Sequence, residues 1–375
     1  MALPRHAVVF IHGLDGLEAG AARDRLVRGL VETTRSAQVM PLDEDHWISG
    51  HQGRMVQVDT TDGRRKMVEV YEAYWGDLIP ASREDTPLKR LIGGTGLLVF
   101  WLMSPYRKLF REGGLYFIVI MLLAVPMLLV WYIGLVLLAV TSLGTDAALP
   151  ETLQDFWIVE KLQALATPLG NWEVWAVIVA LVGLLPQEKL VDMARTTRLY
   201  LQNAVLPGSD IGLRDRIRFR VQECLRAVLG ADGHPFDRVI VVAHSVGAVI
   251  GTDLFTGPMI PGGQPVHYVT LGPPLQFLAH KSPWLRERLT QCLEEGSYAT
   301  WVDFHSSEDQ FSSAIPGFPR RSNQRSVTID WSASLWDRLS GETHRRYPVT
   351  QQVAELLVDH PGERLQLPWE REVVV

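Results

Sequence analysis

The sequence predicts an α/β fold: a mostly parallel sheet flanked by helices, interrupted by an inserted transmembrane helical hairpin. Three observations predict it. Residues 238–251 read Arg-Val-Ile-Val-Val-Ala-His-Ser-Val-Gly-Ala-Val-Ile-Gly, an apolar run that turns sharply at a serine. Residues 6–13, His-Ala-Val-Val-Phe-Ile-His-Gly, form a second short apolar run with its own turn. Residues 115–140 pass 26 positions without a charge. Short unbroken apolar runs suit strands buried on both faces, as in a parallel sheet.

The elements follow in order. The first strand, 6–13, ends in His12-Gly13 and leads to a helix over 18–34. Residues 54–60 and 65–75 alternate apolar and polar around Thr-Asp-Gly-Arg, which predicts a hairpin whose second arm, Met67–Trp75, joins the sheet. Residues 188–203 and 213–229 read as helices. In the latter, Ile217, Val221, Cys224, Leu225 and Val228 fall on one face. After the Ser245 strand come strands at 266–271, 299–304 and 326–330, then a closing helix at 349–358. The chain therefore divides into a first sheet part (1–90), a membrane insertion (91–187), a second sheet part (188–362) and a tail (363–375).

The insertion is read from length and charge. A bilayer-spanning helix needs about 20 apolar residues, and 115–140 exceeds that. Pro126 within it kinks a helix that a membrane tolerates. The flanking strands belong to one sheet, so the chain crosses an even number of times between them, and 162–186 is the second span. Leu91–Met103 is apolar but shorter and glycine-rich, and reads as an interfacial or buried helix. Arg107, Lys108 and Arg111 precede the first span, and Lys189, Arg195 and Arg198 follow the second. The connecting loop holds Asp146, Glu151, Asp155 and Glu160 against Lys161. Positive charge stays inside, so both sheet parts face the cytoplasm.

Composition narrows the classes. Lys and Arg number 36 against 42 Asp and Glu, which gives no basic footprint for nucleic acid. Two cysteines, Cys224 and Cys292, show neither metal spacing nor a disulfide framework. No removable apolar segment precedes the first strand, so no signal peptide is expected.

Chemistry concentrates at the turns. A serine at a tight strand-to-helix turn needs small neighbours two positions away on each side, and Ala243 and Gly247 supply them. A serine hydroxyl becomes a nucleophile when a histidine takes its proton and a carboxylate orients that histidine. Asp309 follows the strand at 299–304 and is the candidate acid. Asp303 is the rival, held inside the strand, and Glu308 the weaker neighbour. His344, after the last strand and before the closing helix, is the candidate base. His305 lies close before the acid, and His360 lies past the closing helix. His244 reads as a structural neighbour whose side chain points to the other side of the turn.

On Val-Val-Phe-Ile-His-Gly, Val-Ile-Val-Val-Ala-His-Ser-Val-Gly, the Leu-Gly-Pro-Pro after the 266–271 strand, Asp309 and His344, the chain resembles the α/β-hydrolase superfamily, specifically its lipase- and esterase-like members. The resemblance covers roughly 1–75 and 188–360. It implies the chain order Ser245, Asp309, His344 and an oxyanion hole from the backbone N–H groups of Leu14 and Val246. Alanine replaces the usual first glycine of the turn, the first strands of the full fold are missing, and the membrane hairpin departs from soluble members. The implied activity is cleavage of carboxylic esters by a membrane-anchored serine hydrolase, with the bilayer and a lipid-like acyl substrate as partners and no metal or cofactor. The competing classes are an inactive membrane scaffold and an acyltransferase, thioesterase or peptidase using the same triad.

Overall fold

A computed structural model describes residues 3–14, 18–34, 37–39, 47–59, 64–79, 87–103, 132, 187–230, 236–257, 264–359 and 367. The chain divides into two compact units, Met1–Ile79 with Tyr200–Val375, and Pro80–Leu199.

The first unit is built on one mixed sheet. Its strands are β1 (Arg5–Ile11), β2 (Gln38–Val39), β3 (Trp47–Ile48), β4 (His51–Asp59), β5 (Arg65–Glu72), β6 (Arg238–His244), β7 (Val266–Leu271), β8 (Thr300–His305) and β9 (Gln324–Thr328). Their order is β2-β4-β5-β1-β6-β7-β8-β9, with β3 paired to β4 off this path. Every step from β5 to β9 is parallel, while β4 runs antiparallel to β5 and to β2. The apolar runs of β1 and β6 lie at the centre, six residues in parallel register from His6↔Arg238 to Ile11↔Ala243. Their side chains are buried on both faces, which is why neither run alternates with polar residues.

One face packs Val8, Phe10, Val68, Val70, Ile240 and Val242 against Leu26 and Leu30 of α1 (Ala21–Thr33) and Leu356 and Leu357 of the last helix. In the second unit, α2 (Pro87–Leu102) and α3 (Gln187–Leu201) are the described helices. In α2 the apolar run leaves Val99 and Leu102 exposed, as is Met103 just after it. The other face of the sheet carries α4 (Leu213–Leu229), whose buried stripe is Ile217, Val221, Cys224, Leu225 and Val228, and α5 (Gly247–Phe255). There Tyr268 donates its hydroxyl to the Ala248 carbonyl (3.0 Å) and packs its ring on Phe255 (4.6 Å). Both cysteines are buried free thiols.

The structure extends and corrects the expected elements. The hairpin's first arm starts at His51 rather than residue 54, and its second ends at Glu72 rather than 75. The last strand is Gln324–Thr328 rather than 326–330. Four helices are additional: α6 (Leu275–Lys281), α7 (Pro283–Glu295), α8 (Leu335–Ser340) and α9 (Glu342–Arg345). The closing helix α10 (Gln351–Val358) follows a single 3₁₀ turn, Tyr347–Val349. Among the described residues no helix is long and apolar enough to cross a membrane. The expected spans at 115–140 and 162–186, apart from residue 132, lie outside the described residues.

Helix α1 also pins the segment after α9. A methyl added at Gly29 falls 2.1 Å from the Pro348 carbonyl oxygen and 2.7 Å from the Val349 Cα. Alanine adds about 1 kcal/mol of helix propensity, but overpacking costs about 1–3 kcal/mol, and these neighbours are backbone. Gly29→Ala is expected to destabilise the chain by roughly 1–2 kcal/mol, read as a lower thermal midpoint. An unchanged or higher midpoint refutes the close approach.

Candidate active site

The site gathers at the carboxyl ends of the parallel strands. After β6 the chain turns through Ser245, which holds φ +56, and α5 starts at Gly247. This left-handed conformation costs a non-glycine residue about 1–2 kcal/mol, so neighbours must impose it. The Ser245 N–H donates to the Leu271 carbonyl at the end of β7 (2.9 Å). A side chain at Gly247 would meet the Ile11 carbonyl oxygen at 2.3 Å and that of His12 at 2.8 Å. Glycine there lets the turn rest directly on the end of β1.

The end of β1 is braced by the segment after β5. His12 is buried, stacked on the Trp75 ring (4.8 Å between centroids, 5° between planes). Its Nε2 accepts the Trp75 N–H (3.3 Å), and its Nδ1–H donates to the Gly13 carbonyl (2.6 Å). The Trp75 indole N–H donates to the His12 carbonyl (3.2 Å). Leu14 follows this clamp. Among the described residues, no acceptor takes the N–H of Leu14 or of Val246, the two groups expected to hold an oxyanion. Glu72 fixes the far end of the loop: its carboxyl accepts the Gly20 N–H (2.5 Å). Burial raises that carboxyl to about 7, with the Gly20 bond and the Arg23 charge acting the other way.

Asp309 lies in the loop after β8, fully buried, with Oδ2 2.7 Å from the Nδ1 of His344. Its Oδ1 accepts the Phe311 N–H (2.9 Å). Burial pushes its carboxyl up. The His344 charge and hydrogen bond, the Phe311 N–H and the Ser312 hydroxyl outweigh burial and hold it below the ordinary 3.8. An ionised carboxylate only accepts, so Nδ1 of His344 carries the proton and Nε2 is the basic nitrogen. Gly272 completes the join between β7 and the acid: a Cβ there would sit 2.5 Å from the Tyr347 ring and 3.1 Å from Asp309 Oδ2.

The rival residues are engaged elsewhere. Asp303 accepts the Thr270 hydroxyl (2.6 Å) and pairs with His305 (3.2 Å). Glu308 pairs with Arg338. His360 lies outside the described residues. His244 departs from the sequence reading: rather than pointing to the other side of the turn, its ring lies 4.8 Å from that of His344, and its Nε2–H donates to the His344 carbonyl (2.8 Å). Trp75, Glu72 and His244 carry no sequence signal for these roles beyond lying at strand ends. Among the described residues no group of three or more His, Cys, Asp or Glu could hold a metal ion.

Comparison with known proteins returns no matching family model, no similar curated protein and no similar solved structure.

The two buried carboxyls leave opposite pH signatures. Folding raises the Glu72 value from 4.5 to about 7, so its contribution is full below 4.5 and is lost as pH climbs through about 7. Folding lowers the Asp309 value, so its contribution is full above 3.8 and is lost as pH falls through the folded value. Relative to wild type, Glu72→Gln is expected to gain on the order of 2–3 kcal/mol between pH 4.5 and 8. Asp309→Asn is expected to be destabilised at pH 7, with the deficit shrinking below pH 3.8. Denaturant titrations across pH measure both, and pH-independent differences refute the assignments.

Proposed function

We propose that the chain is a membrane-anchored serine hydrolase of the α/β-hydrolase type that cleaves carboxylic esters. The observation that carries this reading is the 2.7 Å contact between Asp309 and His344, on a segment joined through His244 to the left-handed turn of Ser245. The placement agrees with the order nucleophile, acid, base along successive parallel strands: Ser245 after β6, Asp309 after β8, His344 after β9.

In the proposed reaction the Ser245 Oγ attacks the acyl carbon while His344 Nε2 takes the hydroxyl proton. The carbonyl π electrons move onto oxygen, which the N–H groups of Leu14 and Val246 stabilise. Collapse breaks the acyl C–O bond, and His344 returns the proton to the leaving alcohol. Water, deprotonated by His344, then cleaves the acyl-enzyme and restores Ser245. Asp309 stays ionised throughout, fixing the imidazole tautomer and stabilising the imidazolium. Removing one oxyanion donor in such sites costs about 10²–10³ in turnover.

The anchor in this reading is the hairpin of spans 115–140 and 162–186, with the catalytic unit on the cytoplasmic side. A lipid-like ester that partitions into the bilayer is the substrate class such an anchor favours. The fold alone does not select a substrate.

Labelling with a fluorophosphonate in detergent tests the chemistry. Wild type is expected to react, Ser245→Ala to lose the label, and Asp309→Asn to hydrolyse a short-chain ester about 10³–10⁴-fold more slowly, with Asp303→Asn largely spared. Folded wild type that takes no label favours the inactive scaffold. For topology, the 141–161 loop is expected to be cut by protease only from the non-cytoplasmic face of sealed vesicles. Cleavage only from the cytoplasmic face overturns the orientation.

A further inference from the structure

Helix α9 has an unusual backbone problem. In a continuous helix the His344 carbonyl accepts the N–H four residues ahead, but that residue is Pro348, which has none. Helix α9 is only four residues long, too short to hold itself by its own hydrogen bonds. The missing donor comes from 100 positions away: the Nε2–H of His244, 2.8 Å from that carbonyl oxygen. His244 is 2% exposed, and its ring lies against the His344 ring, tilted 34°. Phe311 and Tyr347 close two further sides of His344, at 5.5 and 6.3 Å between ring centroids.

We propose that His244 is a positioning residue: it holds the backbone carrying the base at a set distance from the nucleophile next to it in the chain. This rests on reading His344 as the base. The Nε2 proton of His244 is committed to a carbonyl, which only accepts. Its work is register. The strand end that places Ser245 also places the His344 main chain, so the two groups cannot drift apart independently. A base displaced by about 1 Å can cost about 10²-fold in rate, and a donor that fixes its backbone acts on turnover rather than on substrate binding.

Two variants of the full chain in detergent separate this role from general packing. His244→Phe keeps a ring against His344 and removes the donor. His244→Gln removes the ring but places an amide N–H near the same position. Fluorophosphonate labelling carried to completion counts the sites that are folded, so turnover is expressed per labelled site. For His244→Phe, kcat and the labelling rate are expected to fall about 10- to 100-fold, with complete final labelling and KM within about twofold of wild type. His244→Gln is expected to recover most of the rate. Unchanged kcat per labelled site in His244→Phe overturns the assignment and leaves His244 as packing. Glutamine no better than phenylalanine overturns the hydrogen bond as the cause. Wild type that takes no label overturns the hydrolase reading, and this inference with it; a labelled wild type with either of the other outcomes overturns this inference alone.

Discussion

The left-handed turn at Ser245 is the constraint on which the rest of the site depends. A serine does not hold φ +56 unaided. Three separate contacts impose it. The parallel pairing of β1 and β6 fixes where the turn begins. The Leu271 carbonyl takes the serine N–H. Bare backbone at Gly247 lets the start of α5 come against the carbonyls of Ile11 and His12. They come from the strands on either side of β6, two from β1 and its end and one from β7, so the strain is offset by the centre of the sheet. Such strain persists only where the surroundings over-determine it.

The same sheet accounts for how residues 100 apart in sequence meet. Parallel strands deliver the loops that follow them to one edge, and the turn after β6, the Asp309 loop after β8 and the His344 segment after β9 all leave from that edge. The His344 segment is then pinned from several directions. The Gly29 face of α1 abuts the backbone of Pro348 and Val349. Tyr347 meets the Ser312 hydroxyl (3.0 Å) beside Asp309. His244 meets the His344 carbonyl. A four-residue helix needs all of this, because its own hydrogen bonds contribute little.

How much of this was legible in the sequence follows from the range of the forces involved. β1 and β6 were plain because burial on both faces writes itself as consecutive apolar residues. The inner face of α4 was plain because its spacing is helical. Ser245, Asp309 and His344 could be nominated because strand ends carry chemistry and the chain order narrows the choice. The two-residue strands β2 and β3 left no periodic trace, being too short to show a period. Helices α6, α8 and α9 are short and defined by caps and tertiary contacts, as with the Ser334–Asp337 capping box of α8. The direction of His244 depends on a proline 104 positions later that withholds a donor. The Trp75–His12 clamp likewise joins residues 63 apart. No local pattern encodes such pairings.

The choice between Asp303 and Asp309 shows where local reading ends and environment takes over. Both carboxyls are fully buried, six positions apart, and each faces an imidazole. Burial alone raises both. At Asp303 burial wins over the bonds from His305 and Thr270, and the carboxyl is held above its ordinary value. At Asp309 the His344 charge and hydrogen bond, the Phe311 N–H and the Ser312 hydroxyl together outweigh burial, and the carboxyl is held below it. A carboxylate that must remain charged beside an imidazolium needs the second environment. The backbone N–H is the telling difference: inside β8 the main-chain donors are committed to neighbouring strands, whereas the loop after it turns the Phe311 N–H onto Asp309. The charged carboxylate of the two is therefore the one where the strand has ended, because there the backbone is released to stabilise its charge.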